Sequence, residues 1–411
     1  MRIKRTNTSQ QPFRKSVAFM LVLYWTVLVA WQNISGAETR GSVDVVLKMG
    51  LLAYFSWFYL KRARSVNAKI LWVLLLAVSM LITACMESEF PLDNVIAYGY
   101  PIIFLTMVYG LGDWYEINRK QLLAFCNWVI AVVLYAAIYA MIFCRDQFVN
   151  ILSVRGAYGN ELQSFFLSSH EYGMYLACAM VSCGLCLKYD VGMTPVKKGC
   201  YIVSLLILAL NLILTFSRTS MFGLAVFLLI FLILGKGKLK RWILAVLLLA
   251  GLVILLSPEL SDYVYRVVLK GNTLADRDDL LAAGIRFFRS GTVWQKVFGY
   301  GIRDTRVYFE SYLYHGSAHN AYLQVLLHYG VIGEGFLLAF LFSQVCASLQ
   351  IFRKNQFFGA ANLGLTVMAM AMMFTNTAIV FTSPIDSYFL TVFLFVVPKY
   401  VRNAIKNDRF H

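Results

Sequence analysis

Residues 200–234, CYIVSLLILALNLILTFSRTSMFGLAVFLLIFLIL, contain two apolar runs separated by the short polar stretch FSRTS. With its flanking residues, each run approaches the roughly 20 mostly apolar residues that an α-helix needs to cross a bilayer. Backbone polar groups must be satisfied within such a segment, so it has to be helical. This stretch therefore predicts two membrane helices joined by a tight polar hairpin at one membrane surface.

The same pattern recurs along the chain. Of the 411 residues, 60% are hydrophobic and only 14% are charged, and the mean hydropathy is +0.66, which lies outside the usual soluble range. About twelve runs have the character of spanning helices. They cover residues 16–34, 43–60, 69–86, 95–111, 122–144, 165–187, 200–216, 221–234, 242–256, 320–347, 358–382 and 388–400. These runs predict an all-α polytopic membrane protein with about 12 transmembrane helices, a single transmembrane domain over residues 1–411.

Positive charge is concentrated in alternate connections between these runs. The basic clusters lie in residues 2–15, 61–64, 119–120, 197–198, 236–241, 353–354 and 402–409. By the positive-inside rule these segments are cytoplasmic, which places both termini there. The first run is too long for a signal peptide and lacks a cleavage site, so we interpret it as a retained helix. The net charge of +16 follows largely from this topology and does not require a nucleic-acid partner.

The longest polar segment, residues 258–318, is predicted to be a large extracytoplasmic loop. It carries six arginines: Arg266, Arg277, Arg286, Arg289, Arg303 and Arg306. Residues 276–290 have helical spacing, with Leu280, Leu281, Ile285 and Phe288 on one stripe, which predicts a short helix at the membrane surface. A guanidinium can bind phosphate oxygens in a two-pronged way. The alternative is that these arginines pair with the acidic residues of the same loop.

Three further polar islands interrupt the apolar runs. Arg218 lies in the FSRTS hairpin, where an ionisable group so close to hydrocarbon has to snorkel, pair or serve function. Arg155 lies in a glycine-containing turn, VRGAYGN. His319 and Asn320 stand where the loop enters the tenth run, and the helix dipole favours a neutral histidine suited to act as a general base. Alternatively, Asn320 caps that helix and His319 is an incidental interfacial residue.

The sequence offers no metal site or cofactor site. His170 and Glu171 lack the second histidine of a zinc helix motif, because position 174 is methionine. The cysteines fall in or beside apolar runs and are typical of small apolar side chains. No metal and no cofactor are therefore predicted.

Taken in order, these motifs resemble those of the bacterial O-antigen polymerase and O-antigen ligase superfamily. The resemblance rests on RGAYGN at Arg155, TFSRT at Arg218, GYG at 299–301, AHNAYL at 318–323 and YGVIG at 329–333. It implies a C-type glycosyltransferase-like fold that acts on an undecaprenyl-pyrophosphate-linked glycan. It further implies that arginines of the hairpin and the loop hold the pyrophosphate and that the histidine lies at the acceptor. The residues so implicated are His319 as catalytic base and Arg155, Arg218, Arg277, Arg286, Arg289, Asn320 and Tyr322 in substrate binding, with Arg286 and Arg289 as alternatives to Arg277.

The resemblance thus implies a metal-independent glycosyltransferase in the bacterial cytoplasmic (inner) membrane. It would polymerise lipid-linked repeat units into O-antigen, capsular or exopolysaccharide at the outer face, with inversion. Its partners would be the lipid-linked glycan, membrane lipid, and a chain-length regulator and flippase of the same pathway, with no nucleic acid.

Three alternatives remain open. One is an O-antigen ligase that transfers the glycan to a lipid A core or another acceptor. A second is a lipid-linked oligosaccharide flippase or other transporter, which should show related halves and charged residues at mid-span, and the sequence shows neither clearly. The third is a peptidoglycan polymerase whose base is a loop carboxylate: Asp276, Asp278 or Asp279.

Overall fold

A computed structural model describes residues 68–86, 88–105, 116–144, 161–166, 168–235, 277–313, 317–377 and 386–410, with a few isolated positions between them. The predicted spans at 16–34 and 43–60, nearly all of the span at 242–256, and the turn with Arg155 lie outside the described residues. Within these ranges the regular structure is entirely helical.

The helices follow the predicted apolar runs closely. They are α1 (Ala68–Met86), α2 (Pro91–Leu105), α3 (Arg119–Phe143), α4 (Ser169–Tyr189), α5 (Pro195–Leu214), α6 (Arg218–Leu234), α7 (Arg277–Ser290), α8 (Val293–Phe298), α9 (Ile302–Leu313), α10 (Ala321–Lys354), α11 (Gln356–Met373) and α12 (Asp386–Thr391), which continues through a π-helical turn (Val392–Val396) into α13 (Val397–Lys406). Of the described helices, α3, α5, α10 and α11 are long and apolar enough to cross a membrane. The all-helical class is confirmed for the described residues, and the count of about twelve spans stays a prediction.

Short polar residues set where these helices begin. Asn118 forms a capping box with Gln121 at the start of α3, and the hydroxyl of Thr194 accepts from the backbone N–H of Lys197 at the start of α5. Asn355 accepts from the N–H of Phe358 and is the single residue between α10 and α11, which therefore form a tight antiparallel pair. A side chain that caps the first turn satisfies a donor that no helical carbonyl reaches.

Helix α4 lies at the centre of the described bundle, where it packs against α3, α5 and α6. Close packing depends on small residues. A Cβ at Gly173 would lie 2.8 Å from side-chain atoms of both Ser217 and Ser220, and a Cβ at Gly223 of α6 would lie 2.5 Å from Met372 of α11. Small residues let helix backbones approach within a membrane, where burial of apolar surface from water supplies no driving force.

Helix α10 is broken at Gly330, whose φ of +66° and ψ of −166° are not helical. A straight helix of 34 residues would measure about 50 Å. The antiparallel α11 rises only about 27 Å over its 18 residues. Yet Asn320, which caps α10, donates from Nδ2 to the carbonyl of Phe374 just beyond the end of α11, at 3.3 Å. Residues 321–329, here called the cross segment, must therefore turn at Gly330 and run across the end of the bundle.

The three short helices α7, α8 and α9 pack onto the cross segment. Leu280 and Ala283 of α7 are buried in a small cluster with Leu323 and Leu327. The prediction of a short amphipathic helix at residues 276–290 is confirmed, since α7 is Arg277–Ser290.

The predicted apolar stripe of α7 was partly wrong. Leu281 and Ile285 are 39% and 38% exposed, and the buried face runs through Leu280, Ala283 and Gly284 instead. A Cβ at Gly284 would lie only 2.6 Å from Cδ2 of Leu323, so the bare glycine is where α10 approaches most closely. The predicted stripe followed the large apolar side chains, whereas the buried face of α7 is formed largely by the small residues Ala283 and Gly284.

Candidate functional site

The polar islands gather at one end of the bundle, here called the site end, where α4 and α6 begin, α5 and α11 end, and the cross segment passes over. The hairpin between α5 and α6 makes one side of it. Phe216 adopts a left-handed φ of +51°, and the hydroxyl of Thr215 accepts from the N–H of Ser217 at 3.2 Å while donating to the carbonyl of Leu212 at 2.7 Å. This tight turn places Arg218 at the first position of α6, where it is half-buried.

Ser217 precedes α6 but does not cap it with its side chain. Its hydroxyl instead lies 3.2 Å from Nδ1 of His170 and 2.9 Å from the hydroxyl of Ser220. The hydroxyl of Ser220 in turn donates to the carbonyl of His170 at 3.4 Å. The start of α4 is thereby joined to the start of α6 by hydrogen bonds beside Arg218.

The segment 161–166, directly before α4, lies along the same hairpin. The N–H of Leu162 donates to the carbonyl of Leu214 at 3.2 Å, and Ser169 hydrogen-bonds Glu161. Ser164 has a left-handed φ of +54° and donates from its hydroxyl to the carbonyl of Ala136 at 2.9 Å. Arg155 itself lies outside the described residues, so its predicted role is not tested.

His319 lies at the far side of the site end, directly before the cross segment. It is partly exposed and has a left-handed φ of +48°. The backbone beside it is held by Gln324, whose Oε1 accepts from the N–H of Ala318 at 2.8 Å. The amide nitrogen of Gln324 then donates to Nε2 of His328 at 2.6 Å, which assigns the ring proton of His328 to Nδ1. The turn that presents His319 is therefore fastened from within the cross segment.

Asn320 and Tyr322 have partners within the protein. Asn320 caps α10 by accepting from the N–H of Leu323 at 3.0 Å, as the alternative interpretation of this residue expects. The hydroxyl of Tyr322 donates to the carbonyl of Met370 at 3.1 Å, and its ring lies 4.8 Å from that of Phe374. Both residues thus fix the cross segment to α11, and their predicted contact with substrate stays a prediction.

The end of α11 connects the two halves of the site end. Phe374 receives the hydrogen bond from Asn320 on one side, and two residues later Nδ2 of Asn376 lies 3.8 Å from Sδ of Met174 on α4. Met174 is one helical turn from His170, which touches the Ser217 hydroxyl. This series of contacts brings His319 and Arg218 to the same end of the bundle.

The loop arginines divide into different environments. Arg306 pairs with Glu310 one turn along α9, with its Nε 2.6 Å from Oε1, as the pairing alternative expects, and this hydrogen bond lowers the pKa of Glu310. Arg303 lies over the ring of Phe90 at 5.7 Å. Arg286 and Arg289 are exposed on α7. Arg277 is the first residue of α7, and its side chain lies outside the described set. The binding of phosphate by Arg277, Arg286 or Arg289 stays a prediction.

Two residues at this end were missed or set aside in the sequence. His170 was considered only as an incomplete zinc motif, although it begins a helix at the site end. Glu334 interrupts the apolar run VIGEGF, yet the sequence analysis found no clear charged residue within a span, which was wrong. The side chain is half-buried in α10, and its Oε2 is fully buried without a hydrogen-bond partner among the described residues. Within the same residues, no group of three or more His, Cys, Asp or Glu side chains is placed to hold a metal ion.

Part of the chain that forms the site end matches a known protein family. Residues 203–341 match the family model described as O-antigen ligase. This match supports the resemblance to the O-antigen polymerase and ligase superfamily. No curated protein matches the chain. The matched residues, here called the superfamily segment, run from within α5 to residue 341 of α10. They include the Arg218 hairpin, the loop helices and Glu334.

The match confirms the resemblance drawn from the motifs. Superfamily members are glycosyltransferase-like enzymes of the ligase and polymerase type, and they imply a lipid-linked glycan as substrate and membrane lipid as surroundings. The superfamily segment contains both Arg218 and His319, whereas Arg155 and His170 fall outside it. The site end therefore combines a cationic helix start with a partly exposed histidine at the end of an apolar bundle.

Proposed function

We propose that the protein is a polysaccharide polymerase that joins undecaprenyl-pyrophosphate-linked oligosaccharide repeat units at the outer face of the bacterial cytoplasmic membrane. Both termini face the cytoplasm in this proposal, and the site end faces outward. The observation that carries it is that the superfamily segment folds so that Arg218 and His319 share one end of the bundle, connected through Phe374, Asn376 and α4.

The start of α6 suits the donor pyrophosphate. A helix N-terminus carries partial positive charge and unpaired N–H groups, and here the N-cap side chain of Ser217 is turned away to His170. Arg218 adds a guanidinium at the first helical position, which can bind two phosphate oxygens at once. Arg277 occupies the equivalent first position of α7, with Arg286 and Arg289 on the same helix as alternatives.

His319 supplies the base in this mechanism. A hydroxyl oxygen of the acceptor glycan attacks the anomeric carbon of the donor sugar from the face opposite the phosphate. The bond from that carbon to the phosphate oxygen breaks, undecaprenyl pyrophosphate leaves with its electron pair, and the hydroxyl proton passes to His319. The leaving group is already activated, so the arginines need only stabilise the charge that develops on it. No step in this mechanism uses a metal ion.

Backbone strain at the site end supports a functional role. Non-glycine residues pay about 1–2 kcal/mol to adopt left-handed φ. The described residues include four of them, and three, Ser164, Phe216 and His319, lie at the site end. Strained backbone persists where its surroundings over-determine it, and such positions cluster at active sites.

The test is the variant His319→Ala, with His411→Ala at the last residue as a matched control. Purified protein in detergent is incubated with lipid-linked repeat units and no nucleotide sugar, and chain growth is followed by gel. Loss of a general base costs roughly a hundredfold to ten-thousandfold in rate, so the variant should leave single repeat units unjoined. If His319→Ala lengthens chains as fast as the wild-type protein, His319 is not the base, and a loop carboxylate such as Asp279 becomes the candidate.

The same assay separates the alternatives. Adding a lipid A core acceptor tests the O-antigen ligase, which would transfer the glycan to that core without lengthening it. Glu334 gives the flippase alternative the charged residue within a span that it requires. A flippase, however, would join no repeat units in detergent, where there are no leaflets to exchange.

A further inference from the structure

Glu334 is a carboxylate inside the apolar stretch of α10, four residues after the break at Gly330. Its Oε2 is buried and has no hydrogen-bond partner among the residues that the structure describes. Ionisable groups in membrane spans are costly and normally find a partner or face a polar cavity. Arg402 of α13 is also buried, but its guanidinium has a partner, since it donates to Oε1 of Gln344 at 2.7 Å. Glu334 has no such arrangement.

The position of Glu334 relates it to the site end. Asn355 joins α10 to the antiparallel α11, and Glu334 lies 21 residues before it, about 31 Å along α10. Met370 and Phe374 lie about 22 and 28 Å along α11 from the same turn, so Glu334 is level with the end of α11, where Asn320 and Tyr322 bind. Tyr322 also contacts Phe374 and Met370. The carboxylate thus lies beneath the segment that presents His319.

The chemistry of a carboxylate limits what it can bind there. Carboxylate oxygens accept hydrogen bonds, so a ligand that pairs with Glu334 has to bring donors. A pyrophosphate brings only acceptor oxygens, so it does not fit this position. Sugar hydroxyl and N-acetyl N–H groups are neutral donors, and both belong to the acceptor glycan that must approach His319.

Resting on the proposed function, we propose that Glu334 is a binding residue for the acceptor glycan and accepts hydrogen bonds from its sugar hydroxyl or amide groups. Tyr322 flanks the same position and contributes its hydroxyl oxygen as a second acceptor. A buried carboxylate kept without a protein partner is then explained by the partner that arrives with the substrate.

The test uses Glu334→Gln, which keeps the shape and removes the charge. The acceptor probe is the cell's own repeat-unit oligosaccharide, released from its carrier by mild acid, so that it can accept but not donate. A lost charge-assisted hydrogen bond should raise the KM for this acceptor roughly tenfold to a hundredfold and leave the KM for the lipid-linked donor unchanged. The apparent Tm should stay constant, because glutamine keeps the shape of the side chain and Oε2 has no hydrogen bond within the protein to lose.

Glu310→Gln is the matched control, since it makes the same change at the exposed carboxylate that pairs with Arg306. It should leave both KM values unchanged. An unchanged acceptor KM in Glu334→Gln would overturn the proposal. A lowered Tm with both KM values shifted would also overturn it, because it would show that Glu334 holds the fold.

Calorimetric binding of the oligosaccharide separates this inference from the proposed function, since binding needs no turnover. Binding by the wild type that weakens in Glu334→Gln, without chain growth in either protein, would support the glycan site and refute the polymerase. Chain growth with equal binding by both proteins would support the polymerase and refute the role of Glu334.

Discussion

Gly330 gives the sharpest test of the geometry, because the position of the cross segment depends on its backbone. Its φ of +66° with ψ of −166° is a conformation open essentially to glycine alone. The perturbation is Gly330→Ala, and the control is Gly335→Ala, five residues along the same helix.

The structure sets the magnitudes. Holding alanine in that conformation costs about 1–3 kcal/mol. The added Cβ would also lie 2.3 Å from the carbonyl oxygen of Val297 and 2.6 Å from the nitrogen of Gly299. These are backbone atoms, and the turn is held by bonds such as Gly299 N–H to the carbonyl of Gln295 at 2.8 Å, so relieving the overlap adds about 1–3 kcal/mol more. A Cβ at Gly335 meets nothing within 4 Å, and alanine gains up to about 1 kcal/mol in a helix.

The two variants should therefore differ by at least about 2 kcal/mol. Thermal unfolding in detergent is measured by the loss of the monodisperse peak in size-exclusion chromatography. The apparent Tm should fall in Gly330→Ala and should not fall in Gly335→Ala. Chain growth should be lost in the first variant, because His319 and Tyr322 move together with the cross segment. Equal stability and activity of the two variants would refute the turn at Gly330, and with it the proximity of Tyr322 to Glu334.

The remaining predictions concern the arginine and the topology. Arg218→Lys should lose most chain growth at unchanged protein level, because an ammonium cannot reproduce the two-pronged contact with phosphate, and full-length polymer from this variant would make Arg218 an anchoring residue only. A cysteine at Ser290, exposed at the end of α7, should react with an impermeant thiol reagent in intact cells in a cysteine-free background, whereas labelling only after lysis would contradict the proposed outward orientation.

The sequence predicted the described helices well because hydrocarbon leaves the chain few choices. A long apolar run must be helical, and the short polar residues before it, such as Asn118 and Thr194, both cap the helix and mark its start. The turn in α10 was not predicted. Gly330 and Gly333 were visible in the motif, but glycine is common in membrane helices, and composition does not distinguish a glycine that bends the chain from one that only packs.

The sequence predicted the charged and motif residues of the candidate site, but it did not predict the contacts between them. Arg218 and His319 stand out because each interrupts an apolar background. His170 and Glu334 acquire their interest only from their surroundings: His170 lies beside the hydroxyl of Ser217, and Oε2 of Glu334 is buried without a hydrogen-bond partner among the described residues. Such neighbours come from distant parts of the chain, so no local pattern records them.

The packing of the loop helices has a consequence for the order in which the protein is made. Leu280 and Ala283 of α7 are buried against Leu323 and Leu327, which are synthesised some forty residues later. The ribosome thus releases α7 before its partner surface exists, and helical peptides of this length are marginal on their own in water. The arginines of α7 can take up fixed positions only once the cross segment has been made, so a nascent chain halted before α10 would hold this loop in an unassembled form.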